Sequence, residues 1–193
     1  QQHKDNPVNW QVWSKDILET AKKNKKPILL SIGYASCHWC HVMAHESFED
    51  KETADLMNKY FVNIKVDREE RPDIDFVFQS SFQLFNQAGG GWPLTMFLDE
   101  NGVPFMGGTY FPKKSQNGLP SFKEVLQKVH DAYKEQKENI IKQRDLVVKN
   151  LDLKKNSVLN QDLEPILETS LSYLDAIKGG YKGAPKFPTF NLY

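Results

Sequence analysis

The sequence predicts an α/β domain, a central mixed sheet flanked by helices, with extra helices toward the C-terminal end. Three observations carry that prediction. The apolar run Pro27-Ile28-Leu29-Leu30-Ser31-Ile32-Gly33 reads as a short buried strand and leads into Cys37-His38-Trp39-Cys40 and a helical pattern. The run from Phe61 to Asp67 alternates with period two, and Ile74, Val77, Phe78, Phe82 and Phe85 follow at three- and four-residue intervals. Two apolar runs then flank Asp99-Glu100-Asn101-Gly102, which marks a β-hairpin.

Trp10, Trp13, Ile17 and Ala21 recur at helical spacing and predict a first helix packed on the sheet by two tryptophans, with Lys22 to Lys26 as its solvated end before Pro27. After the first strand, His41-Val42-Met43-Ala44-His45-Glu46 gives the opening turns of a helix. Asp50 is placed to cap a further helix whose apolar face is Ala54, Leu56, Met57 and Phe61. The charged segment Asp67 to Asp73 reads as an internally paired loop that positions the next helix. Gly89-Gly90-Gly91-Trp92-Pro93 precedes the strand Leu94 to Leu98, and Asn101-Gly102 supplies the positive φ angles of the hairpin. In the partner strand, Val103 to Phe111, Pro104 indicates an edge or a bulge. Ser121 and Glu124 form a capping box that opens a long helix carrying Phe122, Val125, Leu126, Val129 and Tyr133 and running to about Leu151. A final helix around Leu163 to Ile177 stops at Gly179-Gly180, and the tail to Pro188 has no periodicity. The chain thus divides into a domain over 1–155 and a helix and linker over 156–193.

With 193 residues, 39% hydrophobic and 26% charged, the composition is that of an ordinary globular protein with one good core. Its 25 basic residues balance 25 acidic ones, so no global field recruits nucleic acid or an acidic membrane. No apolar run approaches the roughly 20 residues that span a bilayer, and no signal-peptide pattern opens the chain. Gly89-Gly90-Gly91 lacks the spacing of a nucleotide loop, and no cofactor is expected. The two cysteines share one motif, which gives no disulfide framework and fits a reducing compartment, the cytoplasm. Both ends read as cut: the chain starts without Met and stops within Phe190-Asn191-Leu192-Tyr193.

A cysteine at a helix start faces unpaired backbone N–H groups and the positive end of the helix dipole, which favour thiolate over thiol. A second cysteine three residues on faces it across one turn and can resolve a mixed disulfide. Cys37 is therefore the candidate nucleophile, nearest solvent and the free N–H groups, and Cys40 the candidate resolving thiol, a turn in and less exposed. His38 and His41 are the candidate groups that tune these thiols; a protonated His38 stabilises the Cys37 thiolate and makes the disulfide more oxidising. The plainer reading of His38 is an exposed side chain without a role. His41, His45 and Glu46 are candidate proton acceptors, and Trp39 covers the motif and offers a flat apolar contact. Other readings stand beside this one. Cys37-His38-Trp39-Cys40-His41 matches the haem-attachment pattern, although strands flank it and no second axial ligand is evident. A zinc site would draw on Cys37, Cys40, His38, His41 and His45, yet no second cysteine pair supplies the usual second knuckle, and no metal ligand is assigned. Two reduced, inert buried thiols are the third.

This order of elements, with CxxC at a helix start and Gly-Trp-Pro opening a hairpin, resembles the thioredoxin fold. The resemblance implies that Pro93 is a cis-proline facing the dithiol. It further implies that the backbone beside Pro93 pairs with an extended substrate segment, so that Trp92 and Pro93 are candidates for substrate contact. More specifically, the chain resembles the thioredoxin-like N-terminal part of the spermatogenesis-associated thioredoxin-containing proteins. The residues that carry this are Asn6-Pro7-Val8-Asn9-Trp10, Ser31-Ile32-Gly33-Tyr34, Cys37 through Met43, Glu46 through Asp50, Lys65 through Asp73, Gly90-Gly91-Trp92-Pro93, Gly107 through Pro112, and Gly183-Ala184-Pro185-Lys186-Phe187-Pro188. Members of that family continue with an α/α-barrel domain resembling sugar epimerases, which is missing from this chain. The resemblance implies a thiol–disulfide oxidoreductase acting on a disulfide-containing protein or small thiol substrate. A redox-sensing or regulatory module for the barrel is the alternative, and a zinc-binding module a third. Two departures stand out: thioredoxins keep a buried acid before the dithiol where Ser31 and Gly33 cannot take a proton, and His38-Trp39 replaces their Gly-Pro between the cysteines.

Overall fold

The structure, a computed structural model, describes residues 6–86, 89–116, 118–156 and 172. The final helix expected around Leu163, the Gly179-Gly180 stop and the tail to Pro188 lie outside the described residues. The chain divides into two units after Leu153, and the sheet belongs to the first.

The centre of that unit is β2 (Ile28–Gly33), buried along its whole length. A strand covered on both faces carries apolar side chains in a run rather than in alternation, and 28–30 has that form. It pairs parallel with β3 (Val62–Asp67) and antiparallel with β4 (Leu94–Leu98). The two-residue β1 (Trp10–Gln11) adds parallel to β3, and β5 (Pro104–Gly108) adds antiparallel to β4. The five-stranded order is β1-β3-β2-β4-β5. Pro104, with no N–H to donate, lies on the edge strand beside a register shift at Phe97/Leu98, as its position in the sequence indicates.

Alternation along the strands splits the core in two. Ile28, Leu30, Ile32, Ile64, Val66, Leu94, Met96 and Leu98 pack with Ala21 of α1 (Lys15–Asn24) and with Ile74, Phe78 and Phe82 of α4 (Pro72–Asn86). The other cluster gathers Leu29 and Phe97 with Met43 of α2 (His38–Met43), Ala54 and Met57 of α3 (Lys51–Tyr60), and Phe122, Val125, Leu126 and Val129 of α5 (Phe122–Glu135). Asp50 caps α3, and Ser121 and Glu124 close the capping box of α5 as the sequence predicts.

Three expectations need correction. Trp10 and Trp13 do not lie on the first helix: Trp10 is in β1, and α1 starts only after Ser14, whose hydroxyl accepts from the Ile17 N–H. Their rings serve opposite clusters, Trp10 against Phe48 and Trp13 against Phe78. The three-residue spacing imitates a helix because a two-residue strand is too short to show its own period. In the hairpin, only Gly102 has positive φ, at 82°. The turn does not need a second such residue because Asp99 Oδ1 accepts from the N–H groups of Asn101 and Val103. The long C-terminal helix is broken at Gln136 (φ −119°, ψ 40°) into α5 and α6 (Lys137–Asn156). The Gln136 carbonyl accepts from Asn139 and Ile140, which restarts the helix and lets Ile140 join the core.

The Asp50 carboxylate accepts from the Thr53 hydroxyl at 2.6 Å and the Thr53 N–H at 3.0 Å, and meets Lys113 Nζ at 2.9 Å. The Thr53 hydroxyl, then Lys113, lower its pKa from 3.8 to about 2. The stability it contributes is complete above the ordinary carboxylate range and is lost as pH falls toward 2. Asp50→Ala is expected to cost about 1 kcal/mol at neutral pH and to flatten this part of the acid limb, read by urea denaturation from pH 7 down to 2.

Candidate active site

β2 ends at Gly33, and a short loop delivers Cys37 to the cap position of α2. The Cys37 N–H donates to the Tyr34 carbonyl, and Cys37 Sγ accepts from the Cys40 N–H at 3.2 Å. Cys37 and Cys40 are joined as a disulfide, with an S–S distance of 2.19 Å. Both are buried, at 4% and 8% exposure, so the expected order, with Cys37 nearer solvent, is not found. Gly33 explains part of this: a Cβ there would lie 2.8 Å from Cys40 Sγ, so only bare backbone lets the sulfur settle on the strand end.

Past α2 the chain widens into a π-helical segment, Ala44–Phe48, which sequence periodicity does not announce. It buries Ala44, Ser47 and Phe48 and leaves His45 exposed, facing Glu49 at 2.9 Å. Glu46 accepts from the Tyr110 hydroxyl at 2.6 Å, and burial pushes that phenol up to about 12. The Tyr110 ring packs at 5.1 Å against Trp39, which is 53% exposed, so Trp39 stands at the surface beside the disulfide. His38 is exposed with its ring against Trp39. His41 bonds through Nε2 to the Ala35 carbonyl at 2.7 Å and so braces the loop before the cysteines. Among the described residues, no three of His, Cys, Asp and Glu converge to hold a metal ion, and no helix is long and apolar enough to cross a membrane.

The Trp92–Pro93 peptide bond is cis, and Pro93 is buried. Leu94, the next residue, pairs with Ile32, so Pro93 enters the sheet at the end where Gly33 meets Cys40. Trp92 is anchored internally. Its Nε1–H donates to Asp75 Oδ1 at 2.9 Å, the Arg68 guanidinium lies 4.0 Å over its ring, and the Tyr34 ring stands nearly perpendicular to it with centroids 5.9 Å apart. The charged loop is internally paired, Arg71 to Asp73 at 2.9 and 2.6 Å, and through Arg68 it also holds Trp92.

Sequence reasoning passed over Lys65. It pairs in register with Ser31, and its Nζ donates to Ser31 Oγ at 3.0 Å. The ammonium lies 5.9 Å from the Trp10 ring and 5.8 Å from that of Phe48. Burial lowers its pKa to about 8 against the opposing pull of Asp67. The signal was present: Asn63, Lys65 and Asp67 alternate with Ile64 and Val66, but a polar phase reads as solvated until both faces are known to be covered. Lys65 borders a cleft of about 970 Å³, which Gly33, Cys40, His41, Asp67 and Glu70 also line.

The model of the family described as Thioredox_DsbH, a protein of unknown function (DUF255), matches residues 1–152. The chain belongs to that family. This DUF255 domain is 40% identical over 191 residues to the uncharacterized protein B0495.5 of Caenorhabditis elegans. It is 40% and 39% identical over 197 residues to spermatogenesis-associated protein 20 of Rattus norvegicus and Homo sapiens. These matches cover 97% of the chain but 26%, 25% and 25% of those proteins, so the chain spans about a quarter of their length. Among solved structures it is similar to the DsbH oxidoreductase, at 20% identity and TM-score 0.47, covering 66% of this chain and 85% of that one. It is also similar to a thioredoxin-fold protein from Helicobacter pylori, at 16% identity and TM-score 0.46, covering 76% and 89%. The family resemblance and the thioredoxin fold read from the sequence both hold. That fold and a cysteine pair at disulfide distance support a thiol–disulfide oxidoreductase-like role.

Between about pH 8 and 10.5 the folded state binds fewer protons at Lys65 than the unfolded chain, so its contribution to stability rises with pH across that window. Lys65→Met, which keeps the stem and removes the charge, is expected to be the more stable protein below pH 8 and to lose this rise, as measured by urea denaturation of both proteins from pH 7 to 10.5.

Proposed function

We propose that this domain is a thiol–disulfide oxidoreductase in which Cys37 attacks and Cys40 resolves. The observation that carries the reading is the Cys37–Cys40 bond at the junction of β2 and α2, with the Cys40 N–H aimed at Cys37 Sγ. An N–H on that sulfur favours its thiolate over its thiol. In the reducing direction, the Cys37 thiolate attacks a substrate disulfide and forms a mixed disulfide, releasing one substrate sulfur as thiolate. Cys40, once deprotonated, attacks Cys37 Sγ, closes the 37–40 bond and releases the second substrate sulfur. Two electrons pass from dithiol to substrate, and a thiol reductant restores the pair.

The substrate is a disulfide-containing protein or a small thiol compound in its oxidised form. It meets the exposed Trp39 face, backed by Tyr110, and the strand entry at Trp92-Pro93. His38 and His41 tune the motif differently: His38 as an exposed ring against Trp39 beside Cys37, His41 through the loop it braces. We place the domain in the cytoplasm, where such a dithiol is kept reduced, with the remainder of a longer chain as its other partner. The second reading, a redox sensor for that remainder, draws on the relatives being about four times longer than this chain.

Cys37→Ser is expected to abolish disulfide reduction, whereas Cys40→Ser accumulates a mixed disulfide visible by intact-protein mass spectrometry; the opposite pattern reverses the roles. The pair is expected to equilibrate with glutathione at a potential between about −270 and −120 mV. Multiple turnovers on insulin mark a catalyst, while a single oxidation without turnover marks a sensor.

A further inference from the structure

Cys40 must lose a proton before it can resolve a mixed disulfide, yet its sulfur is buried against Gly33 and no carboxylate stands in β2 to take that proton. The space above Gly33 shows what does face it. A Cβ built there would have Cys40 Sγ at 2.8 Å and Lys65 Nζ at 3.5 Å, so sulfur and amine border the same small gap. The gap belongs to the cleft, which gives it room for water. Nζ is aimed by its bond to Ser31 Oγ. The other titratable groups lining the cleft are Asp67 at the end of β3, Glu70 in the turn after it, His41 on α2, and Tyr34 in the loop before α2. Of these, His41 is committed to the Ala35 carbonyl.

We propose that Lys65 is the proton-transfer partner of Cys40, its neutral amine accepting the thiol proton directly or through one water in the gap. This rests on the oxidoreductase reading and names the group that drives its second step. The Cys40 S–H bond breaks and an N–H bond forms on Nζ, leaving thiolate beside ammonium. The Cys40 thiolate then attacks Cys37 Sγ, and the S–S bond from Cys37 to substrate breaks with its electron pair on the substrate sulfur. When a thiol reductant of the glutathione or dithiol class reopens the 37–40 bond, the Lys65 ammonium returns the proton to the departing Cys40 thiolate. An amine whose pKa burial has brought to about 8 supplies both base and acid forms near neutral pH, where an exposed lysine is almost wholly ammonium and has no free amine to accept the proton.

The test uses the reduced protein and a limiting amount of the aromatic disulfide 5,5′-dithiobis(2-nitrobenzoate) in stopped flow. Attack by Cys37 releases the first nitrothiolate, and resolution by Cys40 releases the second. In Lys65→Met the first phase is expected to stay within about twofold of wild type. The second is expected to slow by about 100-fold at pH 7 and to climb with hydroxide concentration instead of levelling off. Lys65→Arg, which keeps the charge but cannot accept a proton, is expected to remain slow in the second phase, and it decides alone if the Met variant does not fold. A second phase at wild-type rate and pH profile in either folded variant overturns the role of Lys65 while leaving the oxidoreductase reading in place. Absence of the second phase in wild type overturns that reading, and the assignment to Lys65 with it.

Discussion

The contact between Cys40 Sγ and the bare backbone of Gly33 is the constraint around which the site is arranged. β2 is hydrogen-bonded on both sides and buried throughout, which makes its end a fixed point in the fold. The sulfur rests on that point and so seats the first turn of α2 against the end of β2. The widened turns from Ala44 to Phe48 then bring Phe48 into the core that α3 and α5 complete. Ser31 and Lys65 form a polar pair on this face beside the buried Thr95, and the hydroxyl and the two ring faces partly replace the water the ammonium has lost.

The opposite wall is built on charge. Asp75 is buried and takes the Trp92 indole N–H, while Arg68 covers the ring from above with its Nε 3.7 Å from the same carboxylate. Gln79 ties the Gly91 carbonyl down at 3.1 Å. The segment ahead of β4 is thus gripped through a side chain and a backbone group at once, and the residues that grip it come from the β3–α4 loop and from α4.

Much of this was legible because local signals agreed with tertiary roles. Asp50 and Ser121-Glu124 mark helix starts whatever packs around them, and β4 is an apolar run bounded by Pro93 and Asp99. The cysteine pair was legible as a motif at a strand–helix junction. Elements failed where the deciding partner is remote in sequence. Trp10 is a strand residue only because Asn63 lies beside it, and nothing between Tyr133 and Ile140 marks the helix break except the pull of Ile140 toward the core. Lys65 was invisible for the same reason: its meaning depends on Ser31 and Gly33 and on what covers them. Cys burial was misjudged because helix position alone says how far along a turn a side chain lies, not how deeply its neighbours enclose it.

The two borders of the sheet carry a consequence of their own. β1 is only two residues long, and β5 opens with a proline beside a register shift, so neither presents a long flat row of free amides and carbonyls. Such borders are poor templates for strand addition, which protects against edge-to-edge aggregation. A sheet blunted in this way lets the domain carry an exposed tryptophan beside its disulfide without also inviting its own copies to stack against it.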